Sequence, residues 1–307
     1  MRRADRNKRK KRWPKVVLII LALFVVGIGA YVFSIYQNTK STINDDMHEP
    51  VTTIDTTLTK KKIKAKEPLN ILLLGIDAEK GERGRSDALM VLTLQPKTDQ
   101  MQIVSIPRDT RTTIVGKGIE DKINHAYAFG GTDMAISTVE NFLDIEIDYY
   151  IRMNMEGLKD LVSELGTITV QNEIEWSDNK YTFNKGSIEM DADQTMAFVR
   201  MRKQDPSGDF GRTQRQREVI KGIVNEGASI GSITKIGNLL DVFGNNMATN
   251  MDFDDMKSIF SGYLDTRKNV KEYMMQGTGQ QINGIYYMIV SDDEVDKVHR
   301  MIKEMEG

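Results

Sequence analysis

The sequence predicts an α/β protein: one domain with a central mixed β-sheet covered by helices on both faces, preceded by one transmembrane helix. Three observations predict it. Short apolar runs of strand length alternate with segments whose apolar residues recur at helical spacing. One uncharged run of 21 residues stands apart near the start. The composition, 40% hydrophobic and 28% charged over 307 residues, is that of an ordinary globular chain holding one large domain or two modest ones.

The uncharged run, VVLIILALFVVGIGAYVFSIY, occupies residues 16–36. As a helix it spans the roughly 30 Å hydrocarbon core of a bilayer. Trp13 at one end, and Tyr31 and Tyr36 towards the other, sit where amphipathic rings favour the membrane interface. A cleavable signal peptide has an apolar region of roughly 7–15 residues and a small-x-small site. Gly27-Ile28-Gly29-Ala30 is a weak site of that kind, so the run reads as an uncleaved anchor. Residues 1–15 hold nine Lys or Arg and one Asp, a net +8, and stay in the cytoplasm by the positive-inside rule. Everything after Tyr36 is then extracellular, as in a single-pass type II protein of the cell membrane. Against a formal total of −2, the other 292 residues carry −10. Broad nucleic-acid binding requires the opposite balance, so no nucleic-acid partner is expected. Residues 37–67 are polar, with a run of lysines, and read as a stalk or linker.

The domain proper occupies residues 68–307. Residues 69–75 form a buried strand ending at Ile76-Asp77, and residues 88–94 and 101–106 are two strands joined as a hairpin through Pro96. Residues 131–143 read as a helix, 147–153 as a strand, and 167–170 as another. Between the last two, residues 155–165 place Leu158, Leu161, Val162 and Leu165 on one helical face, stopped by Gly166. Helices follow near 213–224, 233–243 and 253–264, then a strand at 285–290 and a last helix at 292–306.

The chemistry-bearing stretch is AFVRMRKQDPSGDFGRTQRQR, residues 197–217. It sets six cationic side chains around a Pro- and Gly-containing turn that leads into a helix from Thr213. Guanidinium groups grip phosphate oxygens in pairs, and the first N–H groups of a helix point the same way. The plainer alternative is a solvated charged helix face. Three further loops lie at strand ends, where functional residues of α/β folds gather: Asp77, Gly84-Arg85-Ser86-Asp87, and Pro107-Arg108-Asp109-Thr110. Taken singly, Asp77 reads as a turn cap, and Asp87 and Asp109 as ion-pair partners of an arginine. Gathered at one edge, these aspartates and arginines suit a metal-bound diphosphate. The chain has no cysteine, which excludes disulfides and thiolate chemistry. Its three histidines lack zinc-ligand spacing, and His125 reads as structural.

Six ordered blocks together resemble the LytR-CpsA-Psr family: LLLGID at 72–77, GRSDALMVLTL at 84–94, SIPRDT at 105–110, KINHAYAFGG at 122–131, TVENFL with IDYYIRMN within 138–154, and VRMRKQDPSGDFGRTQRQR at 199–217. The subgroup most similar is the LytR-like enzymes that attach teichoic acids in Gram-positive bacteria. After about residue 230 the resemblance fades.

The resemblance implies a glycopolymer phosphotransferase. It would move an anionic glycan polymer, teichoic acid above all, from a polyprenyl-diphosphate carrier to a muramic-acid hydroxyl of peptidoglycan. By matched position, Arg85, Arg108, Arg200, Arg202 and Arg212 would clamp the diphosphate. Asp109 would orient Arg108, and Asp209 the arginine loop. Gln216, with Arg215 and Arg217, would complete substrate binding. Asp77 and Asp87 would hold Mg²⁺ or Mn²⁺. The carrier also calls for an apolar channel, for which the Leu-, Ile- and Met-rich helices after Met134 are candidates. Two alternatives use the same sequence: a diphosphatase with water as acceptor, and a non-catalytic membrane-anchored regulator of the cell envelope.

Overall fold

The computed structural model describes residues 37, 40–77, 84–228 and 246–307. Helix α1 (Thr56–Ala65) precedes a meander of β1 (Leu69–Ile76), β2 (Ser86–Gln95) and β3 (Gln100–Ile106). A side hairpin, β4 (Arg111–Ile114) and β5 (Ile119–Lys122), leads into α2 (His125–Leu143), β6 (Tyr149–Asn154) and α3 (Met155–Leu165). Four short strands follow: β7 (Ile168–Asn172), β8 (Trp176–Ser177), β9 (Thr182–Phe183) and β10 (Gly186–Met190). The arginine-rich region is α4 (Ala192–Arg200) and α5 (Asp209–Ala228). Beyond it come β11 (Met247–Thr249), α6 (Phe253–Tyr263), β12 (Val270–Met274), β13 (Thr278–Ile282), β14 (Ile285–Ile289) and α7 (Asp292–Glu306).

The central sheet runs β11-β6-β1-β2-β3-β12. It is mixed: β1 and β6 pair in parallel, as do β3 and β12, while β1–β2, β2–β3 and β6–β11 are antiparallel. Side chains alternate faces along a strand, and here both faces are covered. Leu72, Leu74, Leu89, Val91, Val104 and Ile106 pack under Ile136 and Val139 of α2 and Val298 and Ile302 of α7. Ile71, Met90, Leu92, Met101 and Ile103 pack on the other face against Ile63 of α1 and Met256 and Ile259 of α6. Two-sided burial is why these strands read as continuous apolar runs. Each fully buried Leu or Ile stabilises by about 1.5–3 kcal/mol. A satellite core forms where α3, α4 and α5 close over β7 and β10, with Leu161, Val162, Ile168, Phe198 and Val219 buried together.

The mixed α/β domain with helices on both faces of its central sheet is as predicted, with corrections to its parts. Helix α2 starts at His125, six residues before the predicted start, and kinks at Gly130 (φ −142°, ψ 18°) and Gly131 (φ 66°, ψ −152°). The glycine pair masks the continuity that periodicity would otherwise reveal. Ala135, Ile136, Val139 and Leu143 of this helix lie in the core, so its apolar face is filler rather than a channel. The segment read as a stalk packs on the domain instead. Ile54 enters the main core, Ile43 and Met47 are buried, and Lys62 of α1 meets buried Asp148 at 2.7 Å. Strands β7 and β14 pair with β10 and β13 in separate two-stranded sheets, outside the central sheet. The unpredicted β12 is an edge strand with a half-exposed, mixed sequence, and so carries no apolar signal. The expected anchor at 16–36 and the helix at 233–243 lie outside the described residues. Among the described residues no helix is long and apolar enough to cross a membrane.

Candidate active site

Sheet register brings the sequence candidates to one edge. Ile76 pairs with Ser86 on β2 and with Asn154 on β6. The residues that follow β1, β3 and β6 therefore emerge beside the start of β2. Asp77 donates its backbone N–H to the Arg85 carbonyl at 3.1 Å, joining two of the candidates. Asp87 is the second residue of β2, and Arg108 lies two residues past the end of β3.

Three arginines and three aspartates interlock there. Arg108 Nη1 donates to Asp87 Oδ1 at 2.8 Å, and its Nε lies 3.6 Å from Asp209 and 3.8 Å from Asp109. Arg202 Nη2 and Arg212 Nη1 each lie 3.9 Å from Asp87 Oδ2. Arg202 Nε also stands 3.8 Å from Asp209. Segments far apart in sequence thus share one charged cluster. Its rim is stiffened from behind. Lys122 Nζ donates to Asp109 Oδ1 at 2.7 Å, and the Met288 N–H of β14 donates to the Asp109 carbonyl at 2.8 Å.

Arg212 is the centre of this arrangement. Helix α5 begins at Asp209, four residues before the predicted start, which places Arg212 in its first turn. Only 6% of the residue is exposed. Its Nε lies 3.2 Å from Asp209 without hydrogen-bond alignment, and its buried Nη2 has no partner among the described residues. Burial, reinforced by repulsion from Arg108 and Arg202 against the pull of Asp209 and Asp87, presses its pKa below the ordinary arginine value. Arg108 is shifted upward: burial works against its charge, but the hydrogen bond and field of Asp87, helped by Asp209 and Asp109, outweigh it. One buried guanidinium short of partners, held among others, is an environment that an entering anion relieves.

The remaining candidates divide. Gln216 lies one turn beyond Arg212 on α5, its Oε1 buried and without a partner among the described residues. Arg200 ends α4 and, with Asp77, lines a cavity of about 840 Å³ beside the cluster. Arg85 is exposed at the same edge. The structure does not bring Arg215 and Arg217 into the cluster. Arg215 is buried, donating to the Phe198 and Met201 carbonyls at 3.1 and 2.6 Å and pairing with Asp205. It thereby holds the 201–208 turn in place. Arg217 donates to Glu272 at 3.0 Å and Ser105 at 3.1 Å, tying α5 to β12 and β3.

Sequence reasoning read Lys122, in the KINHAYAFGG block, as structural but did not connect it to Asp109, because that contact depends on the β4–β5 hairpin folding back. It also missed α4, although a signal was present: Asp191 and Gln194 form a capping box at its start.

The same edge carries oxygen donors of the kind a divalent ion takes. Among the described residues no three His, Asp or Glu side chains cluster closely enough to hold a metal alone. Asp77 has an exposed carboxylate without a side-chain partner among the described residues, and Asp87 lies at the same edge. One or two carboxylates completed by substrate phosphate oxygens is the set that Mg²⁺ prefers, so these residues fit the ion.

The fold and site define an α/β protein with a guanidinium–carboxylate cluster at the loop edge of its central sheet. The LytR_cpsA_psr family model matches residues 30–304, and the chain belongs to that family. It is 44% identical over 302 residues to the polyisoprenyl-teichoic acid–peptidoglycan teichoic acid transferase TagU of Bacillus subtilis (strain 168), covering 98% of each chain. Among solved structures it resembles a protein from Enterococcus faecalis described as the transcriptional regulator EF0465, with TM-score 0.71 and 40% identity over 80% of this chain and 90% of that one. It also resembles TagT bound to LIIa-WTA, with TM-score 0.68 and 32% identity over 79% and 92% of the two chains.

Proposed function

We propose that this chain is a glycopolymer phosphotransferase that moves teichoic acid from a polyprenyl-diphosphate carrier to a muramic-acid hydroxyl of peptidoglycan. The observation that carries the reading is Arg212, a buried cation with an unpartnered donor at the meeting point of Asp87, Arg108, Arg202 and Asp209. The kinship with TagU supplies the substrate class.

In this reading the diphosphate enters the cluster, and its oxygens take up the unpartnered donors of Arg212 and the half-exposed fork of Arg202. Arg108, fixed by Asp87, lies ready for the leaving phosphate. The acceptor hydroxyl oxygen forms a bond to the phosphorus that bears the polymer. The bond from that phosphorus to the bridging oxygen breaks, the polyprenyl monophosphate leaves with the electron pair, and the hydroxyl proton is released. The guanidinium groups stabilise charge gathering on the equatorial and bridging oxygens, in positions set before substrate arrives. Asp77 and Asp87 would hold Mg²⁺ or Mn²⁺, which neutralises phosphate charge when bound. The N-terminal run anchors the domain on the outer face of the cell membrane, near its lipid-linked donor.

Arg108→Ala and Arg200→Ala should each abolish glycan attachment while circular dichroism remains that of the folded protein. Near-normal attachment by both would remove the diphosphate clamp. Product analysis separates transfer from hydrolysis: a polymer–peptidoglycan phosphodiester supports the transferase, and free polymer phosphate as the sole product supports a diphosphatase.

A further inference from the structure

The cavity beside the arginine cluster has a lining that a phosphate site does not need. It lies between the start of α3, the face of α4 and the turn joining β8 to β9, and shares Asp77 and Arg200 with the diphosphate edge. Its charges are matched: Lys159, Lys180 and Arg200 against Asp77, Glu156 and Asp193. Asp193 is placed between the two ammonium groups, 2.9 Å from Lys159 and 3.9 Å from Lys180, and so gathers them on one wall. Glu156 has no ion pair among the described residues, and the aromatic ring of Tyr181 stands beside Lys180. A polymer with a phosphate in every repeat would favour cations throughout. Paired signs beside an aromatic ring and two methionines instead suit a ligand that carries carboxylates, an ammonium group and a sugar body.

We infer that this cavity seats the acceptor, a peptidoglycan strand recognised through its zwitterionic stem peptide. The inference rests on the transferase reading and adds the place where the second substrate binds. Lys159 and Lys180 meet stem-peptide carboxylates, and Glu156 meets its side-chain ammonium. Because Asp77 and Arg200 form the wall shared with the cluster, a sugar hydroxyl of the seated strand is delivered towards the diphosphate from the side.

The test uses the full-length protein in detergent, with soluble GlcNAc–MurNAc-pentapeptide and the same disaccharide without peptide as probes, binding being read by calorimetry. Lys159 and Lys180 have half or more of their side chains in solvent, so their replacement leaves the fold intact. Lys159→Gln with Lys180→Gln should weaken pentapeptide binding at least tenfold, and Ala197→Trp, which fills the cavity, should do the same. The peptide-free disaccharide should bind weakly, and equally to wild type and the double lysine variant. Arg108→Ala should bind the pentapeptide as wild type does while losing transfer. Wild-type affinity in both cavity variants, equal affinity for the two probes, no measurable binding to wild type, or loss of pentapeptide binding in Arg108→Ala would each overturn the acceptor site. Normal transfer by both Arg108→Ala and Arg200→Ala, with cavity-dependent pentapeptide binding, would instead overturn the diphosphate clamp and leave the acceptor site standing.

Discussion

Arg212 and Arg215 lie one turn apart on the same helix and are about equally buried, yet their surroundings give them opposite work. Arg215 has its donors engaged by two carbonyls and Asp205, so it holds the turn that carries Arg202. Arg212 has a buried donor left over and positive neighbours. Removing one partner of a buried pair costs about 3–5 kcal/mol, whereas removing a poorly satisfied buried charge costs little and can stabilise. Arg215→Ala should therefore lower stability by about 3–5 kcal/mol, seen as a fall in the urea midpoint. Arg212→Met should leave stability unchanged or about 1 kcal/mol higher and reduce transfer by about 10²–10³-fold. Urea unfolding beside a transfer assay checks both. A destabilised Arg212→Met would mean that its charge is already satisfied within the protein. At this scale the family resemblance placed Arg212 in the clamp and Arg215 beside it in substrate binding, but residue type and spacing could not show that Arg215 is consumed by the fold. Both stand in the same RTQRQR run, and only the position of the 201–208 turn decides which guanidinium is consumed by the fold.

Elements assemble the site through register and docking. The meander β1–β2–β3 brings the loops after β1 and β3 to the start of β2, and the parallel partner β6 adds Asn154. Continuous apolar runs of strand length made those strands legible. The converging loop edge followed once the hairpin between residues 95 and 100 was read. Asp77 and Asp87 owe their common edge to this pairing. Combined Asp77→Ala and Asp87→Ala substitution should flatten the dependence of transfer on Mg²⁺ concentration, and an unchanged metal titration would refute the metal assignment. Helix α1 is a different case. Its sequence is polar and lysine-rich, so a hydropathy pattern reads it as linker, yet Ile63 is buried and Lys62 pairs with Asp148, whose side chain is 4% exposed. Burial pushes the pKa of Asp148 up despite Lys62 and the Asn70 N–H, so the carboxylate depends on those partners to stay charged. Lys62→Met should cost about 3 kcal/mol, the low end for a broken buried pair because Lys62 keeps some contact with water. A free stalk would give no change in thermal unfolding.

At the scale of the whole molecule, the question is where the chain places its chemistry. On the proposed function, the net +8 of residues 1–15 and the uncharged run behind it would put the domain outside the cell by the positive-inside rule. A reporter fused after Gly307 should be active only on the extracellular side. Activity confined to the cytoplasm would remove the cell-wall reading and favour a regulator. Two faces of the sheet are sealed by α2 and α7 and by α1 and α6, and a satellite core forms under α3 to α5. The sheet's loop edge is left for the cluster and the neighbouring cavity.

The sequence by itself determined the alternation of strands and helices, the arginines and aspartates proposed to carry the chemistry, and the family blocks that contain them. Those are local properties: apolar period, strand length and residue type are written in consecutive positions. Only the tertiary structure decided that Arg215 and Arg217 are internal braces, that Lys122 supports Asp109, that residues 40–67 belong to the domain, and that a charge-balanced cavity adjoins the arginine cluster. Each of these depends on which side chain finds a partner dozens of residues away, and burial with or without that partner changes a charge from a fastening into a binding site.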